Sequence, residues 1–199
     1  MEANAYLLTK DGKHAVLIDC GGEEALREAE KRGLEVETVL LTHGHFDHIG
    51  GCAAAQKKGI RIGCSEEEKV LTETPELNLS LETEANTEPF TVDFTFKGGD
   101  TLSCAGISLK VIATPGHTKG GVCFRAGDAV FSGDTLFRES IGRTDFPTGN
   151  RGSLNVSIVK LLTLCEDCDI YPGHGPMTTA AHERAFMEKM YNYRNHINF

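Results

Sequence analysis

The amino-acid sequence predicts an α/β fold of stacked layers, with β-sheets inside and helices outside. Three observations lead to it. Short apolar runs bounded by turn residues crowd into residues 5–62 and 90–132, the pattern of strands. Segments of helical period and composition separate and follow those runs. A content of 40% hydrophobic and 25% charged residues is that of a globular chain. With 199 residues the chain can bury enough apolar surface to fold without disulfides or a structural metal. One domain over residues 1–199 is expected, and any metal is expected to be functional.

The elements follow in order. Ala5-Tyr6-Leu7-Leu8, the turn Lys10-Asp11-Gly12-Lys13 and Ala15-Val16-Leu17-Ile18 predict a hairpin that ends at Asp19-Cys20-Gly21-Gly22. Residues 23–32, rich in Ala, Glu, Leu and Arg and followed by Gly33, predict a helix closed by a glycine. Residues 36–42 return to β character, with Val39-Leu40-Leu41 buried. A polar loop, a helix over 51–58 stopped by Gly59, and the short strand Ile60-Arg61-Ile62 come next. A helix over 65–72 and an exposed connection to Pro89 are expected beyond it. Strands are expected over 90–96, 102–104, 107–113, 121–125 and 129–132. Leu154, Ile158, Leu161, Leu162 and Cys165 form the apolar stripe of an amphipathic helix. The strand Asp169-Ile170-Tyr171 and a helix over 178–191 complete the chain.

Twenty Lys and Arg stand against 29 Asp and Glu, a net charge of −9, and the basic residues are scattered. That excludes a general nucleic-acid surface. No apolar run has the length of a membrane-spanning helix, and Met1-Glu2-Ala3-Asn4 begins neither a basic nor an apolar leader. A cytoplasmic protein with no membrane partner is expected. The seven cysteines, irregularly spaced, are expected to be reduced, and Cys165-x-x-Cys168 to be core residues. His14, His182 and His196 are expected on the surface, and Glu66-Glu67-Glu68 is expected to be a solvated face.

Five of the eight histidines, and two aspartates, lie in loops directly after predicted strands. Thr42-His43-Gly44-His45-Phe46-Asp47-His48 places three imidazoles and a carboxylate within six residues, poor material for a core and good material for a divalent metal. His43 and His45 can project the same way from an extended segment, while Asp47 and His48 can serve a second ion. Thr114-Pro115-Gly116-His117-Thr118, Ser132-Gly133-Asp134-Thr135 and Tyr171-Pro172-Gly173-His174-Gly175 repeat the strand-then-loop placement. Strand ends therefore deliver ligands to one edge.

This pattern resembles the metallo-β-lactamase superfamily across nearly the whole chain. The resemblance implies an αββα sandwich, two facing mixed β-sheets with helices on the outside. It implies that His43, His45 and His117 hold one metal, that Asp47, His48 and His174 hold a second, and that Asp134 bridges them. All seven positions are filled, which favours two divalent ions over a metal-free pseudoenzyme. Zn is the first expectation, with Fe and Mn open, because His and Asp ligands suit all three.

The familiar β-lactamases of this fold usually carry Cys where Asp134 stands and lack His at position 48. The flavodiiron type has Glu where His45 stands, and the nucleases carry an additional large domain. What remains is similar to the short bacterial glyoxalase II-like (hydroxyacylglutathione hydrolase-like) enzymes, which lack the C-terminal glutathione-binding helical domain. The best local match is Gly133-Asp134-Thr135-Leu136-Phe137, Ser140-Ile141-Gly142-Arg143-Thr144-Asp145-Phe146-Pro147 and Pro172-Gly173-His174-Gly175-Pro176. The resemblance implies hydrolysis of a small-molecule thioester, such as an S-2-hydroxyacylglutathione, by metal-bound hydroxide. By the same resemblance Asp47 orients the hydroxide and Asp19 braces the ligand loop from behind. Arg143 is the position expected to pair the substrate carboxylate. The Gly142-Arg143-Thr144-Asp145-Phe146 segment is also characteristic of related persulfide dioxygenases, which use a single iron, and that reaction stands as the alternative.

Overall fold

The computed structural model describes residues 3–81, 83 and 87–197, with the backbone alone over 191–197. Strand β1 (Tyr6–Thr9) pairs antiparallel with β2 (His14–Ile18), forming the expected hairpin. The Asp11 carboxylate shapes the turn by accepting the N–H groups of Lys13 and His14, each at 2.8 Å. Helix α1 (Glu23–Lys31) crosses to β3 (Glu35–Leu40), which lies parallel to β2. Helices α2 (Phe46–Ile49) and α3 (Cys52–Lys57) lead to β4 (Arg61–Ser65); α4 (Lys69–Thr72) and a long connection lead to β5 (Phe94–Phe96). The first sheet runs β1-β2-β3-β4-β5, parallel from β2 onward.

The second sheet begins with an antiparallel meander of β6 (Thr101–Cys104), β7 (Ile107–Ala113), β8 (Val122–Ala126) and β9 (Ala129–Gly133). A small hairpin, β10 (Leu136–Phe137) and β11 (Ser140–Ile141), precedes helix α5 (Arg151–Leu164). Strand β12 (Asp169–Pro172) then adds parallel to β9, and β13 (Thr178–Thr179) closes that edge before α6 (Ala180–Ile197).

Alternation along the strands sorts the core into layers. Val16, Ile18 and Leu40 of the first sheet meet Val111, Phe124 and Phe131 of the second. Their neighbours Leu17 and Val39 face the other way, onto Leu26 of α1 and Cys52 and Ala55 of α3. Ile112, Cys123 and Val130 pack on Leu154, Ile158 and Leu161 of α5. Each fully buried aliphatic or aromatic side chain contributes about 1.5–3 kcal/mol, so the layer order follows from the strand period. The result is the expected αββα sandwich. All seven cysteines are free thiols, and six of them, Cys165 and Cys168 included, are buried. No helix among the described residues is long and apolar enough to cross a membrane.

The topology gathers strand ends. β7 and β9 are each antiparallel to β8, and β12 is parallel to β9, so the three finish at one edge of the second sheet. The Thr42 carbonyl accepts the Val122 N–H at 2.9 Å, which brings the loop after β3 to that edge.

Several local expectations are corrected. Ser65 belongs to β4, and the helix after it shrinks to α4. The strand expected over 90–96 is reduced to β5, because the Asp93 carboxylate takes the Ile62 N–H at 2.7 Å in place of a ladder carbonyl. The connection before Pro89 is not exposed throughout: Asn78, Leu79 and Ser80 are buried, with Leu79 at φ 67. The polar loop contains α2. The Glu66-Glu67-Glu68 run is divided, with the first two exposed and Glu68 only 1% exposed. His182 is exposed and His14 half-buried, while the His196 side chain lies outside the described residues.

Candidate metal centre

All seven residues expected as ligands meet at the gathered edge. Among the described residues, three sets have donor atoms within 4.8 Å of one another and could hold a metal ion: His43, His45 and His117; His43, His48 and Asp134; and Asp47, His48 and His174.

The loop after β3 is pinned from behind by Asp19, which sits at the end of β2 in the left-handed region at φ 57 and is 2% exposed. A buried non-glycine residue there stores strain of order 1–3 kcal/mol and persists only where its surroundings hold it. Three hydrogen bonds do so. The Asp19 carboxylate accepts from the Thr42 N–H and the Thr42 hydroxyl, both at 2.7 Å, and faces His48 Nδ1 at 2.8 Å. Because Thr42 Oγ1 donates to Asp19, it is left to accept from His43 Nδ1 at 3.2 Å. His117 Nδ1 donates to the Arg143 carbonyl at 2.8 Å. These contacts put the ring protons of His43, His48 and His117 on Nδ1 and turn each Nε2 toward the cluster. His117 Nε2 lies 2.9 Å from His45 Nδ1.

Asp134 stands between the two ligand sets. Its Oδ2 is 3.5 Å from His117 Nε2 and 3.5 Å from His174 Nε2, and its Oδ1 is 3.3 Å from His48 Nε2. Asp47, on the one-turn helix α2, reaches His174 Nε2 at 3.1 Å. Gly173 makes this approach possible, since a Cβ there would overlap the Asp134 carboxylate and crowd the His48 ring.

The electrostatics divide along the same line. Burial, reinforced by the neighbouring imidazoles, drives His43 well below the usual histidine range and His45 down to about 3, and burial lowers His117 as well. For His48, burial acts downward but the Asp19 and Asp134 carboxylates win and raise it well above that range. His174 is raised chiefly by its hydrogen bond to Asp47. Burial pushes the Asp134 carboxyl up, yet the surrounding imidazoles hold it at about 2.

The residues fit a divalent metal. Among the described residues, four buried side-chain atoms, His43 Nε2, His45 Nε2, His48 Nε2 and Asp134 Oδ1, lack a well-formed hydrogen bond. Each such atom costs about 1–3 kcal/mol unless something satisfies it. Imidazole nitrogens and carboxylates are donors that Zn, Fe and Mn all accept.

Arg143 lies on the exposed rim, with its guanidinium paired to Asp145 at 2.7 and 3.0 Å and stacked 4.2 Å above the Phe146 ring. The Phe146 ring lies 5.6 Å from His45, and Phe137 lies 6.0 Å from His174, forming apolar walls. Three contributors are not evident in the sequence. They are the Arg143 main chain, the buried Asn78 whose carbonyl accepts the Phe46 N–H at 2.9 Å, and Glu68. Of these only Asn78 carries a signal, as an Asn in a Pro-bounded polar stretch able to form a side-chain turn.

Comparison with known proteins agrees with this fold. Residues 1–174 match the model of the metallo-beta-lactamase superfamily. The chain is 38% identical over 193 residues to hydroxyacylglutathione hydrolase GloC of Haemophilus influenzae, covering 92% of this chain and 90% of that one. Among solved structures it is similar to TTHA1623 in a di-iron-bound form, with 34% identity, a TM-score of 0.81 and 92% of each chain covered. It is also similar to the BLEG-1 B3 metallo-beta-lactamase, with 36% identity, a TM-score of 0.82 and coverage of 91% of this chain and 90% of that one.

Proposed function

The chain belongs to the metallo-β-lactamase superfamily and is a metallo-hydrolase, and from that premise we propose that it is a dinuclear thioesterase of the glyoxalase II type. Its substrate is a small thioester such as an S-2-hydroxyacylglutathione. The observation that supports this reading most is the pair of ligand sets joined through Asp134, in a chain 38% identical to a hydroxyacylglutathione hydrolase.

On this reading His43, His45 and His117 would hold one ion and Asp47, His48 and His174 the other, with Asp134 available to both sets. When bound, the two ions supply Lewis-acid polarisation of a carbonyl and lower the pKa of water from 15.7 to about 7. Asp47, half-buried and lowered by its hydrogen bond from His174 although burial opposes this, is a carboxylate placed to orient the attacking water. A thiolate, with a free-thiol pKa of about 8.5, leaves without a strong general acid, so the residues present suffice. Phe137 and Phe146 shield the reacting atoms from bulk water, and Arg143 offers a cation to an anionic acyl or thiol portion.

The test is a parallel assay of the purified protein with S-lactoylglutathione, a cephalosporin, and glutathione persulfide in an oxygen electrode. Thiol release from the first, well above the other two reactions, supports the thioesterase. Dominant oxygen uptake moves the reading to the persulfide dioxygenase, and dominant β-lactam cleavage to a lactamase.

A further inference from the structure

Glu68 is the buried member of an acidic run whose other two residues face solvent. It lies where β4 gives way to α4, outside every loop that carries a ligand candidate. Both of its oxygens are nevertheless spent on those loops. Oε1 accepts the Gly44 N–H at 3.0 Å, between His43 and His45, and Oε2 accepts the Thr118 hydroxyl at 3.1 Å, next to His117. The Gly120 N–H adds a third bond, and a Cβ at Gly120 would overlap Oε2.

A buried carboxylate costs several kcal/mol to desolvate, which these donors must offset. Two loops from different sheets, with the contact between His45 and His117 at 2.9 Å, are thus tied to one side chain. We infer that Glu68 is a positioning residue that sets the spacing of the three-histidine set by clamping the loop after β3 to the loop after β7. Asp19 performs the corresponding service for His48, on the other side. The inference rests on the proposal that His43, His45 and His117 hold a metal ion.

The shape-conserving Glu68→Gln change tests it. Gln keeps the volume but offers one acceptor and one donor to a site that presents the Gly44 N–H, the Gly120 N–H and the Thr118 hydroxyl. Apoprotein with 15N-labelled histidine is titrated with Zn2+ in a chelator buffer, and ring resonances are followed residue by residue. The inference expects the free Zn2+ that half-fills the His43, His45 and His117 set to rise by about 10–100-fold, as for other groups that orient ligands. The midpoint read from His48 and His174 should move by a smaller factor. Thr118→Val, which removes one of the three loop bonds, should shift the same set in the same direction by less. Equal shifts in both sets, or none, overturn the role of Glu68 while leaving the metal reading intact. No zinc-dependent change at His43, His45 and His117 in the unaltered protein overturns both.

Discussion

The two halves of the candidate centre are built differently. The three-histidine half is buried, its imidazoles are held neutral, and it is braced by Thr42, the Arg143 carbonyl and Glu68. The other half pairs Asp47 with a half-buried His174, and its two histidines are pushed toward the protonated form. Neutral imidazoles accept a cation without losing a proton, whereas protonated ones must release theirs first. On the proposed dinuclear reading, the first half would take a metal near neutral pH without losing a proton, and the filling of the second would be coupled to pH.

The largest effect should come from the residue both halves share. Asp134→Ala is expected to abolish activity and lower the metal content at both sets, measured by elemental analysis beside the assay; full activity would remove its bridging role. Acidity should sharpen the contrast. Because His48 and His174 are raised, Zn2+ binding at their set should tighten as pH rises from 6 to 8, by up to about tenfold per unit for each proton displaced. Binding at His43, His45 and His117, already neutral, should stay nearly flat over the same range. Calorimetry in buffers of different ionisation enthalpy counts the protons released, and a flat profile at both sets would contradict the division.

Asp19→Asn is chosen because Asn tolerates the positive φ that Ala would strain. It should weaken Zn2+ binding by about 10–100-fold, and more at His48 than at His45. The smallest effect is expected at the rim. Arg143→Ala should raise KM for an anionic thioester by about two- to fivefold with kcat unchanged, because its guanidinium is exposed and already paired with Asp145. An unchanged KM would take its side chain out of substrate binding.

Much of this arrangement is legible in the sequence for a physical reason. Strand alternation such as Val16-Leu17-Ile18 forces a two-faced sheet, and histidines directly after apolar strands have no core to join. Glu68 is hidden because nothing in three successive glutamates says which one turns inward; the donors that turn it come from residues 24 and 50 positions away. At Asn78-Leu79-Ser80 a side-chain turn is legible from the Asn but its burial is not, because that comes from packing over the ligand loop. Helix α2 is a single turn, too short for periodicity to mark.

Anomalous diffraction from crystals of the metal-loaded protein tests the central claim most directly. Two peaks are predicted, one enclosed by His43, His45 and His117 and one by Asp47, His48 and His174, with Asp134 between them. A single peak, or a metal bound elsewhere on the chain, would contradict it.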